Sequence, residues 1–263
     1  MLFAALRLAL LAIVAAPWIR APAPGQWRAL LALGLFNGAL NFGLSMASLK
    51  LSAGLSAPVI AQQCYVPMAA LLAWALLGER FGRRTGAAIA LSFGGVLVLG
   101  FDPAVLEAPV ALLLMLGSAL AIALGTIATR RLHGVGALSA QGWTALLGVL
   151  PLLLASAAWE PGALDAMRAA SWVAWGGVAY SALVSSLFGY GLYYVLVQRH
   201  PVAQVTPYML LAPVMAVLLG IAFWGDRPGP ALWIGGAMVL GGVLAIALRA
   251  VVKQRALAPA KPA

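Results

Sequence analysis

Apolar residues along the chain gather into long, nearly unbroken runs, separated by short clusters of charge, proline and glycine. Nine runs can be marked, over residues 2–18, 29–49, 51–78, 85–101, 108–129, 135–159, 169–198, 202–224 and 231–248. A bilayer core about 30 Å thick takes roughly 20 apolar residues of helix, so the pattern predicts an all-α integral membrane protein. The linkers are short and carry ordinary turn chemistry: Ala21-Pro22-Ala23-Pro24-Gly25, Phe101-Asp102-Pro103, Glu160-Pro161-Gly162 and Pro228-Gly229-Pro230. No soluble domain fits between them, and the residues after Arg249 read as a frayed tail.

Charge turns the pattern into a topology. Assigning loops alternately to two sides puts Arg20, Arg28, Arg80, Arg83, Arg84, Arg130, Arg131, Arg199, Arg249, Lys253, Arg255 and Lys261 on one side, against Lys50, Arg168 and Arg227 on the other. Cytoplasmic loops carry the excess of Lys and Arg, so the first side, including the C-terminal tail, is expected in the cytoplasm. The acids run the other way: Glu79 falls inside, and Asp102, Glu107, Glu160, Asp165 and Asp226 fall outside.

Composition agrees, with 64% of the 263 residues apolar and 8% charged. Soluble domains carry about 25% charged residues. The formal charge of +10 would suggest nucleic acid in a soluble protein, but here the cations are topology signals and no nucleic-acid partner is expected. The single cysteine, Cys64, excludes an intrachain disulfide or a cysteine metal cluster, and two histidines make no zinc site alone.

The sequence repeats itself. Gly78-Glu79-Arg80-Phe81-Gly82 is matched by Gly225-Asp226-Arg227-Pro228-Gly229, and Gly94-Gly95-Val96-Leu97 by Gly241-Gly242-Val243-Leu244, at one common offset. The charge parse puts the loops before the two matched helices on opposite faces. That predicts an inverted-topology repeat, with a chance match in a glycine-rich sequence as the alternative. Residues 1–101 then form a first repeat, 102–107 an external linker, 108–250 a second repeat and 251–263 a cytoplasmic tail. The first repeat shows four segments and the second five. One helix is therefore expected to precede Met1 outside this sequence; the alternative is a nine-helix protein with an external N-terminus.

These residues resemble the EamA family of the drug/metabolite transporter superfamily. The likeness rests on Leu2-Phe3-Ala4-Ala5-Leu6-Arg7-Leu8, on Pro67 followed by Leu77-Gly78-Glu79-Arg80, and on the Gly94-Gly95-Val96-Leu97 ending. It continues in Gly189-Tyr190-Gly191, Pro207, Pro213, Gly225-Asp226-Arg227 and Gly241-Gly242-Val243-Leu244. The resemblance implies a ten-helix type of fold built from two five-helix repeats, of which nine segments are seen here. Ala53-Gly54-Leu55-Ser56 with Gln62-Gln63 looks most like the branch that exports cysteine and O-acetylserine.

Candidate chemistry lies in the apolar runs. Pro58 and Pro67 interrupt one segment and Pro207 and Pro213 its counterpart, so the carbonyls of residues 54, 63, 203 and 209 are expected to lose their helical partners near a midplane cavity. Simple packing kinks are the alternative. Gln62, Gln63 and Tyr65 lie near a segment centre, where an unpaired amide facing lipid is costly. Asn37, Asn41 and Ser45 share one face by spacing, as do Ser186, Tyr190 and Tyr194. Together with Tyr208 these predict a neutral, hydrogen-bonding, aromatic-walled cavity that binds substrate through Asn37, Asn41, Gln62, Gln63, Tyr65, Ser186, Tyr190, Tyr194 and Tyr208. Interhelical hydrogen bonding is the alternative. Arg7, the only formal charge inside a run, could hold a substrate carboxylate or else snorkel or pair structurally.

No glycine-rich phosphate loop is present, and His133 and His200 sit at segment edges, so neither an ATP-driven pump nor a hydrolase with a histidine base is indicated. All six carboxylates fall in predicted loops, which disfavours carboxylate-coupled proton antiport. The expectation is a secondary transporter in a bacterial cytoplasmic membrane. It would export small amino acids or related metabolites by alternating access, as facilitator or exchanger, without cofactor or metal. Its partners are a small polar substrate and the lipid bilayer, and a homodimer stays open. The competing readings are a multidrug or lipophilic-cation exporter and a membrane-embedded enzyme.

Overall fold

The computed structural model describes residues 1–189, 192, 196 and 209–257, and every described element is helical. In chain order these are α1 (Leu2–Ala15, with a 3-10 turn Ala16–Trp18), α2 (Trp27–Leu51), α3 (Ser56–Gln62) and α4 (Tyr65–Leu77). Next come α5 (Arg83–Leu99), α6 (Pro103–Leu106), α7 (Pro109–Arg130) and α8 (Ala137–Trp159). The chain continues through α9 (Ala163–Arg168), α10 (Trp172–Phe188), α11 (Leu211–Trp224) and α12 (Pro230–Leu257). Trp27–Leu51, Ser56–Leu77, Pro109–Arg130, Ala137–Trp159 and Pro230–Val252 are long and apolar enough to cross a membrane. Leu2–Trp18, Trp172–Phe188 and Leu211–Trp224 are shorter apolar helices.

The helices follow the apolar runs, with three departures. The short helices α6 and α9 lie inside stretches read as plain linkers. α12 continues through Leu257, so the residues just after Arg249 are helical rather than frayed. The segment read as one proline-interrupted helix begins only at Ser56 and breaks at Gln63–Cys64. Each proline sits in the first turn of its piece, where a missing N–H costs least. Two of the four carbonyls expected to lose their partners have others: Gly54 O accepts from the Ser52 hydroxyl at 2.6 Å, and Gln63 O from the Val66 N–H at 3.1 Å.

Contacts divide the chain into two compact units, Met1–Ala47 with Leu120–Leu196, and Ser48–Ala119 with Val197–Ala263. The first is built on α1 against α8. Ala4, Ala5, Leu8, Leu11 and Ala12 of α1 meet Ala145 and Leu152 of α8 and Ala182 of α10. The small side chains let the backbones approach, which matters because lipid supplies no hydrophobic force between helices and association rests on close packing. Where α1 ends and α8 begins, Ser139 and Trp143 hold the main chain of Arg20, through Oγ at 3.0 Å and Nε1 at 2.9 Å.

In the second unit α5 packs on α12, with α3 and α11 alongside. Gly95 faces Gly235 and Gly242 faces Ala88, each so closely that a Cβ on the glycine would lie 2.6 Å from the opposing carbonyl oxygen. The contacting positions rise along one helix as they fall along the other, so the two are antiparallel. Shifting both partners of the 95–235 contact by one repeat offset gives the 242–88 contact, as an inverted repeat requires.

The repeated turns are structurally equal too. Gly78 (φ +69°) and Gly225 (φ +75°) both adopt the left-handed conformation that glycine tolerates at a helix end. The next N–H, from Glu79 or Asp226, then reaches back to Ala73 O or Gly220 O at 3.2 and 3.1 Å. Both repeats also carry a widened π segment in corresponding helices, Gly34–Leu40 in α2 and Tyr180–Phe188 in α10.

Candidate functional site

The first unit holds an open cavity of about 340 Å³ with largely apolar walls, into which α1, α2, α7, α8 and α10 each bring polar groups. α1 contributes Arg7, whose Nη2 donates to Ser186 Oγ at 2.8 Å and whose guanidinium carbon lies 4.7 Å from the Phe42 ring centroid. Arg7 is thus turned into the cavity and stacked on an aromatic face rather than extended along the helix toward the surface. The Ser186 hydroxyl is oriented in turn, donating to Ser181 O at 3.1 Å inside the α10 π segment.

α2 places Asn37 in its own π segment and Asn41 just after it, and both line the cavity. Asn41 Nδ2 reaches the Asn37 main-chain oxygen at 3.5 Å. π segments re-aim side chains and recur at functional sites. Ser45, expected on the same face, is instead buried and donates to Phe42 O at 3.2 Å. α8 adds Gln141 and Thr144 and α7 adds Thr129; the sequence reading passed over all three. Their signal was a polar pair three residues apart at the start of an apolar run.

Asn37, Asn41 and Ser186 are therefore brought together. Gln62, Gln63 and Tyr65 belong to the second unit. Gln62 Nε2 lies 3.5 Å from Ser118 Oγ, Gln63 caps the end of α3, and Tyr65 opens α4. Tyr190, Tyr194, Tyr208, Pro207, His200 and the carbonyl of residue 203 lie outside the described residues.

Two of the loop carboxylates hold the second unit together. Asp226 accepts the N–H groups of Leu55 and Ser56 at 3.0 and 2.8 Å and the Ser56 hydroxyl at 2.5 Å, capping α3. Asp102, buried, accepts from Gly229 and Leu232 N–H at 3.0 and 3.2 Å, capping α12. Negative charge at a helix N-terminus satisfies donors that have no helical partner. In the first unit, Glu160 accepts from Ser156 Oγ at 2.7 Å and Leu2 N–H at 2.9 Å, and it pairs with the Met1 ammonium. Among the described residues no cluster of His, Cys, Asp and Glu could hold a metal ion.

Apolar helices in an inverted repeat, with a cavity that holds polar groups in the first compact unit, define a multi-pass membrane transporter. The chain belongs to the EamA-like transporter family, of the drug/metabolite transporter superfamily, whose model matches residues 1–101 and 109–248. Two relatives carry the printed name "Probable amino-acid metabolite efflux pump". The one from Salmonella typhimurium is 31% identical over 222 residues, covering 78% of this chain and 73% of its own. The one from Escherichia coli K12 is 26% identical over 213 residues, covering 78% and 68%. A protein of known crystal structure matches 98% of this chain and 89% of its own, with a TM-score of 0.58 at 21% identity, which is a likeness of fold.

Proposed function

We propose that this transporter exports small amino acids or closely related polar metabolites by alternating access, as a facilitator or exchanger. The observation that carries the reading is the set of polar groups in the largely apolar cavity: one guanidinium, Arg7, with neutral amides and hydroxyls from Asn37, Asn41, Gln141, Thr144 and Ser186. A fork of N–H donors beside neutral hydrogen-bonding groups is complementary to a carboxylate on a small polar molecule. The names of the two efflux-pump relatives support the same substrate class. A lipophilic cation would meet Arg7 as a like charge, which argues against the multidrug reading.

The finer parts of the proposal follow from the sequence. Ala53-Gly54-Leu55-Ser56 and Gln62-Gln63 favour the cysteine and O-acetylserine branch. The charge distribution favours a bacterial cytoplasmic membrane with the C-terminus inside. Gln62, Gln63, Tyr65, Tyr190, Tyr194 and Tyr208 remain proposed substrate contacts beside Asn37, Asn41 and Ser186. Counterflow in proteoliposomes with a panel of radiolabelled amino acids, and with ethidium as a cationic comparison, tests the reading. Exchange of amino acids without ethidium transport is expected; ethidium transport without amino-acid exchange would overturn it.

A further inference from the structure

We propose that the Gln141 carboxamide selects among substrates, favouring amino acids whose side chain ends in a hydroxyl, thiol or carboxamide over apolar ones of the same size. This rests on the amino-acid reading above and narrows it to a class of side chain. The other polar groups on the lining are engaged with the protein. Arg7 donates to Ser186, and the Ser186 hydroxyl to Ser181 O. The Thr144 and Thr129 hydroxyls turn back to Ala140 O at 2.8 Å and Gly125 O at 2.9 Å, and Asn41 reaches the Asn37 main chain. Gln141 is half-buried on the same lining, and among the described residues its amide has no hydrogen-bond partner. Its two donors and its acceptor are left to whatever fills the cavity.

The helix beneath it is held on both sides. A Cβ on Gly142 would lie 2.6 Å from Ile19, so α8 is pressed against the chain that ends α1. Gly148 meets the Gly38 backbone of α2, where a Cβ would lie 2.8 Å from the Gly38 Cα. Gln141 therefore has a fixed base and a free amide. Leu8, next to Arg7, also meets α8 at Gly148. That level is two turns, or about 10 Å, beyond Gln141 along α8, so the charged group and the free amide sit at different depths.

Chemistry then decides what the amide reads. An ammonium would use only its acceptor and a carboxylate only its donors, whereas a hydroxyl or a carboxamide can use both. Between largely apolar walls, a polar side chain replaces the water that it displaces from Gln141. An apolar one strips that water and returns nothing, which costs affinity.

The test is counterflow with purified full-length chain in liposomes, using pairs matched in size: L-serine with L-2-aminobutyrate, and L-asparagine with L-leucine. The wild type should favour the polar member of at least one pair. Gln141→Met keeps length and apolar bulk but removes the amide, and it should lower that preference about threefold to tenfold, the scale of one neutral hydrogen bond. Because Gln141 has no polar partner in the protein, the variant should elute from detergent as monodisperse protein at wild-type yield. Gln141→Ala gives the reading if Gln141→Met does not elute as folded protein. A wild type without preference in either pair, or an undiminished preference in the folded variant, would overturn this inference and leave amino-acid transport standing. If the wild type exchanges none of the four, the functional reading falls and this inference with it.

Discussion

The Ser92 hydroxyl lies 3.5 Å from the Val239 carbonyl oxygen, and the two residues are 147 positions apart, the same offset that relates the repeated motifs. A pair of residues that exchange places under the repeat must sit on its local two-fold axis. Ser92 and Val239 are both fully buried there, with the hydroxyl also donating to Ala88 O at 3.1 Å. The glycines around them make the axis a place of backbone contact.

Adjacent glycines give a sharp test of that contact. A Cβ on Gly242 would meet Ser92 and the Ala88 carbonyl, whereas one on Gly241 has nothing within 4 Å. Gly242→Ala should therefore destabilise the folded protein by about 1–3 kcal/mol, the usual cost of overpacking. Gly241→Ala should be neutral or slightly stabilising. Thermal unfolding followed by size-exclusion chromatography in detergent separates the two; equal melting temperatures would mean that α5 and α12 are not in backbone contact.

The helices and the repeat were legible in the sequence because hydrophobic length and turn glycines are local signals. Gly78 and Gly225 announce helix ends by residue type alone, and their equal geometry followed. The functions of Asp102 and Asp226 were not legible, since a loop carboxylate gives no hint that its donors lie 127 and 170 residues away. The π segments leave no pattern in the sequence either. Arg7 stood out as a charge in an apolar run, but only its contacts with Ser186 and Phe42 turn it toward the cavity.

Asp226 should matter for stability. Asp226→Ala leaves the Leu55 and Ser56 N–H groups at the start of α3 without their acceptor. A loss of about 1–2 kcal/mol is expected, as for other helix caps. Asp226→Asn keeps an acceptor oxygen and should lose less. Melting temperatures in the order wild type, Asn, Ala are the expected result, and an Ala variant as stable as wild type would remove the capping role.

Arg7 should matter for transport more than for folding. Arg7→Met removes the charge, and Arg7→Lys keeps it while losing the planar fork and the stacking on Phe42. We expect KM for amino acids to rise roughly tenfold or more in Arg7→Met, the scale of a hydrogen bond to a charged group. Arg7→Lys should fall between it and wild type. Initial rates normalised to folded protein in the liposomes decide this: loss of transport in step with loss of protein would assign Arg7 to packing against Ser186 instead.

The cavity also bears on energy coupling. Its described lining holds Arg7, two asparagines, a glutamine, two threonines and a serine as polar groups. A guanidinium keeps its proton in proteins, and amides and hydroxyls exchange none near neutral pH. The carboxylates Asp102 and Asp226 are occupied with helix N-termini in the second unit. Nothing in this lining can carry a proton through the cycle, so flux should follow substrate gradients and, for charged substrates, membrane potential. Counterflow of a neutral amino acid should persist with no imposed pH gradient, and nigericin should leave its initial rate nearly unchanged. A rate that collapses with the gradient would place a titrating group on the transport path, and substitution of Asp102 and Asp226 by Asn would then show whether either supplies it.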